Sequence, residues 1–221
     1  MTRSLVEHYG IQPGRVRCVF AGGNVRPPQS LEDHDYGSKR VLFVGRAWER
    51  KGGLDLMSAF EVVRCRHPDA TLIVAGCRPD IAADGVTVLG DVPPAKVAEE
   101  YRRAAIFCMP TLHEPFGVAF VEALTYGVPV IATSIGAVTD IVQAGETGLL
   151  IEPHDTEALA ESISLLLGDP DKCRRFGELG RRRSLERYSW PRTVGLMTQC
   201  IREVLAIQAS PTPPAAPPAG G

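Results

Sequence analysis

Four charged side chains stand out by type and spacing. Arg46 and Lys51 lie in "GRAWERKGG" (45–53), and Glu114 and Glu122 in "HEPFGVAFVEAL" (113–124). The two cations sit on a glycine-flanked loop that follows an apolar run closed by Gly45. Such a pair suits a diphosphate, since arginine offers a planar fork and lysine a point charge. Neither Gly-x-Gly-x-x-Gly nor Gly-x-x-x-x-Gly-Lys-Ser/Thr occurs, which disfavours nicotinamide-type and Walker-type phosphate sites.

The glutamates suit hydroxyl groups, because carboxylates accept from the hydroxyl pairs of sugars. With Pro115 at the first helical position, the stretch predicts a helix whose free N–H groups near Gly117 and Val118 make an anion site. A rise of ~1.5 Å per residue sets Glu114 and Glu122 ~12 Å apart, loosely on one side. Acceptor, donors, acceptor is the order of groups that a nucleotide sugar needs. The blander alternative is a helix-terminal charge followed by a solvated glutamate. Glu122, however, lies between "AFV" and "AL", and a buried carboxylate needs partners.

Short β-branched runs must position these groups: "RVRCVFAG" (15–22), "RVLFVG" (40–45), "ATLIVAG" (70–76), "VTVLG" (86–90), "AIFCMP" (105–110), "VPVIATS" (128–134) and "GLLIEP" (148–153). They read as strands buried on both faces. Helical patterns alternate with them at 54–68, 94–104, 116–127 and 137–145, which implies βαβ units and one doubly wound, mostly parallel Rossmann-like α/β sheet. The loops at the carboxyl ends of its strands are where ligands of such sheets bind. Three more helices are expected at 156–169, 171–188 and 191–208, the first capped by Asp155 or Thr156 and ended by Gly168. Residues 1–37 read as the remnant of an interdomain connection, with a polar stretch without core at 24–40. Residues 38–207 read as the binding domain, and the Pro/Ala/Gly-rich 208–221 as a disordered tail.

The chain has 221 residues, 44% hydrophobic and 23% charged, enough for one sizeable domain. A net charge of −2 argues against nucleic acid as a partner. Six scattered cysteines without a Cys-x-x-Cys pair read as reduced thiols of a cytoplasmic protein. No apolar run approaches the ~20 residues of a membrane span, "MTRSLVEHYG" lacks the apolar centre of a signal peptide, and a peripheral membrane contact stays open.

Together, "FVGR…RKGG", "LHEPFGVAFVEALTYGVPVIAT" and "GETGLLIEPHD" resemble the donor-binding half of the family 4, or group 1, retaining glycosyltransferases of the GT-B fold. The resemblance runs from about residue 5 to 205. It implies transfer of a glycosyl group from a UDP-, GDP- or ADP-linked sugar to a hydroxyl acceptor with retention, and no metal. It assigns Arg46, Lys51 and Glu114 to catalysis, with Arg46 and Lys51 on the diphosphate, Glu114 on the hexose and Glu122 on the ribose. Gly45, Gly76, His113, Phe116, Gly117 and Val118 complete the donor site. The chain departs from the pattern at Gly136-Ala137, where paired glycines are usual, and at Asp140, where glutamate is common.

The N-terminal acceptor domain of that family is missing from the resemblance, and a partner chain supplying that half stays open. Two other readings stay open: a non-catalytic donor-binding fragment of a truncated or split enzyme, and a sugar-nucleotide epimerase of the same fold. Asp33 and Asp35 in "DHD" read as solvated acids, the arginines of 174–187 as a solvated helix face, and "YSW" (188–190) as packing for the C-terminal helices.

Overall fold

The computed structural model describes residues 2–209, with side chains over 5–206. The tail expected at 208–221 thus lies almost wholly outside the described residues. Six strands form one parallel sheet: β1 (Arg40–Val44), β2 (Thr71–Ala75), β3 (Val86–Gly90), β4 (Ile106–Met109), β5 (Val130–Thr133) and β6 (Gly148–Ile151). Their order is β3-β2-β1-β4-β5-β6, doubly wound from the centre. Every residue of β4 and β5 is buried, as their uninterrupted apolar runs require.

Eight helices accompany the strands among the described residues: α1 (Thr2–Tyr9), α2 (Gly53–Arg66), α3 (Pro94–Arg103), α4 (Val118–Thr125), α5 (Val138–Ile141), α6 (Thr156–Leu167), α7 (Pro170–Arg187) and α8 (Trp190–Ala209). From β1 the chain winds one way to β2, and from β4 the other way to β5. Right-handed crossovers therefore put α2 on one face of the sheet, and α3 and α4 on the opposite face. There α2 packs on α6, and α4 on α7. Asp155 caps α6, its Oδ1 accepting from Ala158 N at 2.9 Å, and Gly168 ends it.

Three expectations are corrected. Residues 15–22 form no strand: a 3-10 turn at Pro13–Arg15 leads into irregular backbone that finds no sheet edge to pair with. Pro115 does not begin a helix. Gly117 takes φ 101° at the N-cap and α4 starts only at Val118, because that left-handed turn cannot be part of an α-helix. The stretch 24–40 is not without core: Tyr36 is buried with its hydroxyl donating to Gly127 O, and the half-buried His34 ring meets Ala104 O at 3.0 Å. Burial lowers the His34 pKa, more than the Ala104 carbonyl raises it.

Candidate functional site

The direction of winding reverses between β1 and β4, and ligands of such sheets bind at that switch point, outside the carboxyl ends of the strands. The loops there are the one after β1 (45–52) and the one after β4 (110–117). Gly52 adopts φ 75° and presses so close to the second loop that a Cβ would lie 1.9 Å from Pro110 O. Leu112 N donates to Arg50 O at 3.0 Å, and the Arg50 guanidinium donates to His113 O at 2.9 Å. Thr111, fully buried, adds a hydroxyl bond to His113 O at 3.0 Å, and Thr133 in turn donates to Thr111 O. Backbone and side-chain hydrogen bonds together thus lock the two loops to each other.

Lys51 and Glu114 meet between these loops as an ion pair, with their side chains only 11% and 9% exposed. The other Glu114 oxygen, Oε1, accepts from Phe116 N at 3.4 Å. Arg46, expected beside Lys51 on a diphosphate, is exposed and makes no side-chain hydrogen bond or ion pair among the described residues. It lines a cavity of about 480 Å³ with Trp48, Arg50, Cys77, Arg78 and Pro79. Trp48 is held there by an edge-on contact with Phe43, ring centroids 4.9 Å apart. Gly45 and Gly76 lie back to back beside this cavity: Gly45 N donates to Ala75 O, and Gly76 N to Gly90 O.

At the mouth of α4, Phe120 and Val121 both donate to Gly117 O, so the N–H groups of Val118 and Ala119 precede the first helical acceptor. The His113 side chain is exposed. Phe116 lines a second, apolar cavity of about 360 Å³ with Phe20, Ile141 and Tyr188.

Glu122 lies one turn into α4 and is 7% exposed. Its Oε1 accepts from Asn24 N at 2.8 Å and its Oε2 from the Tyr101 hydroxyl at 3.3 Å. Burial raises its carboxyl pKa, and these two hydrogen bonds pull it part of the way back. The expected burial with partners holds. The helical ruler does not, because Glu114 stands in the loop before α4 and the ~1.5 Å rise never reaches it.

Several contributors gave little signal in the sequence. Asn24 acts through its backbone N–H, which no residue type reveals. Tyr101 reads only as an apolar position on the buried face of "KVAEEYRR", with Ala98 one turn before it. Tyr188 and Trp190, expected to pack the C-terminal helices, instead reach α5 and the N-terminal segment: the Tyr188 hydroxyl donates to Asp140 O at 2.8 Å, and Trp190 Nε1 to Gly23 O at 3.0 Å. Asp33 and Asp35 are exposed, with Asp35 accepting from Gly37 N in its own turn. No helix among the described residues is long and apolar enough to cross a membrane.

Residues 31–183 match the model of the family described as glycosyl transferases group 1. The chain is similar to alpha-maltose-1-phosphate synthase of Mycolicibacterium smegmatis, 31% identical over 90% of this chain and 54% of that protein. In structure it resembles sucrose-phosphate synthase of Thermosynechococcus elongatus, with a TM-score of 0.75 and 27% identity over 93% of this chain and 56% of the other. It also shares its fold with Anabaena HepE, solved with UDP and glucose, at a TM-score of 0.64 and 22% identity over 77% of this chain and 48% of that one. The chain spans about half the length of the curated relatives it matches.

Proposed function

The chain belongs to the group 1 glycosyltransferases, and from that membership we propose that it is the donor-binding half of a retaining hexosyltransferase. With an acceptor-binding half it moves a glycosyl group from a nucleoside-diphosphate sugar to a hydroxyl acceptor. The observation that carries this reading is the gathering of Lys51, Glu114 and the α4 N-terminus at one switch point, with Glu122 one turn below.

Glu114 takes the hexose hydroxyls through the acceptor sites that Lys51 leaves open. An ammonium has three donors, so Lys51 can keep Glu114 and still meet a phosphate oxygen. The N–H groups of Val118 and Ala119 face the same anion, and Arg46 reaches it from the other loop. Departure of the nucleoside diphosphate is then assisted by fixed positive charge, where charge develops in the transition state. The cavity between Trp48, Cys77 and Arg78 suits the nucleobase, and Glu122 suits the ribose. The neighbour solved with UDP and glucose supports a nucleotide-sugar ligand.

Calorimetric titration with UDP, GDP and ADP tests the reading. One of them is expected to bind, and Arg46→Ala is expected to weaken it about tenfold, the effect of one charge-assisted contact. Absence of binding by all three would overturn the proposal. Donor binding without transfer is the alternative reading. Sustained glycosyl transfer by this chain alone, from a panel of donors, would eliminate it.

A further inference from the structure

The carboxylate of Glu122 has a donor fixed on each oxygen, Asn24 N–H on Oε1 and the Tyr101 hydroxyl on Oε2. An ionised carboxylate offers about four acceptor sites, so one remains open on each oxygen. Two acceptors side by side on one rigid edge match the two adjacent hydroxyls of a ribose.

Both donors are themselves immobilised. Tyr101 is fully buried, its ring stacked on Tyr126 with centroids 5.5 Å apart and tilted against Phe107 at 5.8 Å. Its hydroxyl also lies 3.2 Å from Ala119 O, but the charged oxygen is the stronger acceptor. Burial and the facing carboxylate push its pKa well up, so it stays protonated and able to donate. The segment supplying Asn24 N–H is wedged against α4 and α8. A Cβ at Gly23 would lie 2.9 Å from Glu122 Cγ, and one at Gly22 would lie 2.7 Å from Trp190 N. The Trp190 indole holds Gly23 O, and the Tyr126 hydroxyl holds Arg26 O at 2.5 Å.

Resting on the donor-binding reading, we infer that Tyr101 is a positioning residue: together with Asn24 N–H, held in place by Trp190, it aims the Glu122 carboxylate at the ribose diol and so makes the site select ribonucleotides. Without these braces the Glu122 side chain would rotate, and its two acceptors would no longer face the diol as a pair. The arrangement also makes nucleotide selection depend on the start of α8, 68 positions beyond Glu122 in the chain.

Binding of the preferred ribonucleoside diphosphate and its 2′,3′-dideoxy analogue tests this, measured by calorimetry on wild type, Tyr101→Phe and Trp190→Phe. Wild type is expected to prefer the ribo form at least about tenfold, the effect of two hydrogen bonds to a charged group. Tyr101→Phe is expected to lower that ratio about fivefold by weakening the ribo form alone, with the dideoxy affinity unchanged. Trp190→Phe, at a half-exposed position, is expected to lower the ratio in the same direction. A merely structural role would weaken both ligands equally and leave the ratio at its wild-type value, which overturns the inference. Equal binding of the two forms by wild type also overturns it while leaving the donor-binding reading intact. Failure of every nucleotide to bind overturns both.

Discussion

Lys51 and Glu114, 63 positions apart in the chain, join the two switch-point loops as a nearly buried ion pair. The two groups that our proposal assigns to the donor are therefore held by each other. A paired carboxylate is held in one direction, with Oε1 turned to Phe116 N. The arrangement is also a stability element, because neither charge can easily lose its partner.

Removing one member of this pair is expected to cost about 3 kcal/mol of folding stability, since a nearly buried charge is left alone. Lys51→Met and Glu114→Gln are each expected to show this loss in urea unfolding. The double variant is expected to recover most of it, to within about 1 kcal/mol of wild type. Additive losses in the double variant would remove the pair as a structural unit.

Gly52→Ala tests the fit of the two loops. The new methyl group meets Pro110 O at 1.9 Å and sits on a backbone with φ 75°. Overpacking and backbone strain together are expected to cost about 2–4 kcal/mol. Nucleotide binding is expected to fall as well, because Arg50 and Lys51 move with the loop. Unfolding curves and calorimetry on the variant check both.

Glu122 carries a sign-definite dependence on pH. Burial raises its carboxyl pKa, so the folded chain holds this proton more tightly than the unfolded chain does. Its contribution to stability is greatest at low pH and is lost as pH rises from the ordinary carboxylate range through the raised value. Glu122→Gln is therefore expected to melt higher than wild type at neutral pH, with the gap closing as pH falls. It is also expected to lose nucleotide affinity, since a function-bearing group is traded for stability. Melting temperatures across pH 4–8 check the first expectation and calorimetry the second.

Thiol labelling separates the cysteines by environment. Cys18 and Cys65 are exposed, while Cys77, Cys108 and Cys173 are buried. Burial pushes the Cys77 thiol up to about 11 and the Cys173 thiol to about 12. An alkylating reagent at neutral pH is expected to modify Cys18 and Cys65 within minutes and to spare Cys108 and Cys173 until the chain unfolds. Mass spectrometry of native and denatured samples reads this directly.

The sheet was legible in the sequence, since strands buried on both faces must be continuous apolar runs closed by Gly or Pro. "ATLIVAG", "AIFCMP" and "VPVIATS" each became β2, β4 and β5 at the expected place. The same logic failed at "RVRCVFAG", because a β-branched run becomes a strand only where a sheet edge accepts it. Here that run passes instead beside α5 and Tyr188. The start of α4 was misread for a local reason: a proline suits a first helical turn, but Gly117 two residues later turns left-handed and delays it.

Residue type and order alone determined that a basic loop, a glutamate before a helix and a glutamate within it belong to one doubly wound sheet. Charge and spacing persist in the chain whatever it packs against. Only the tertiary structure decided which of these groups hold each other. It set Lys51 against Glu114, and it gave Glu122 two braces, from Tyr101 and from the backbone of Asn24. Hydrogen-bond partners are set by which elements lie within ~3 Å of one another, and that distance follows from packing, not from separation along the chain.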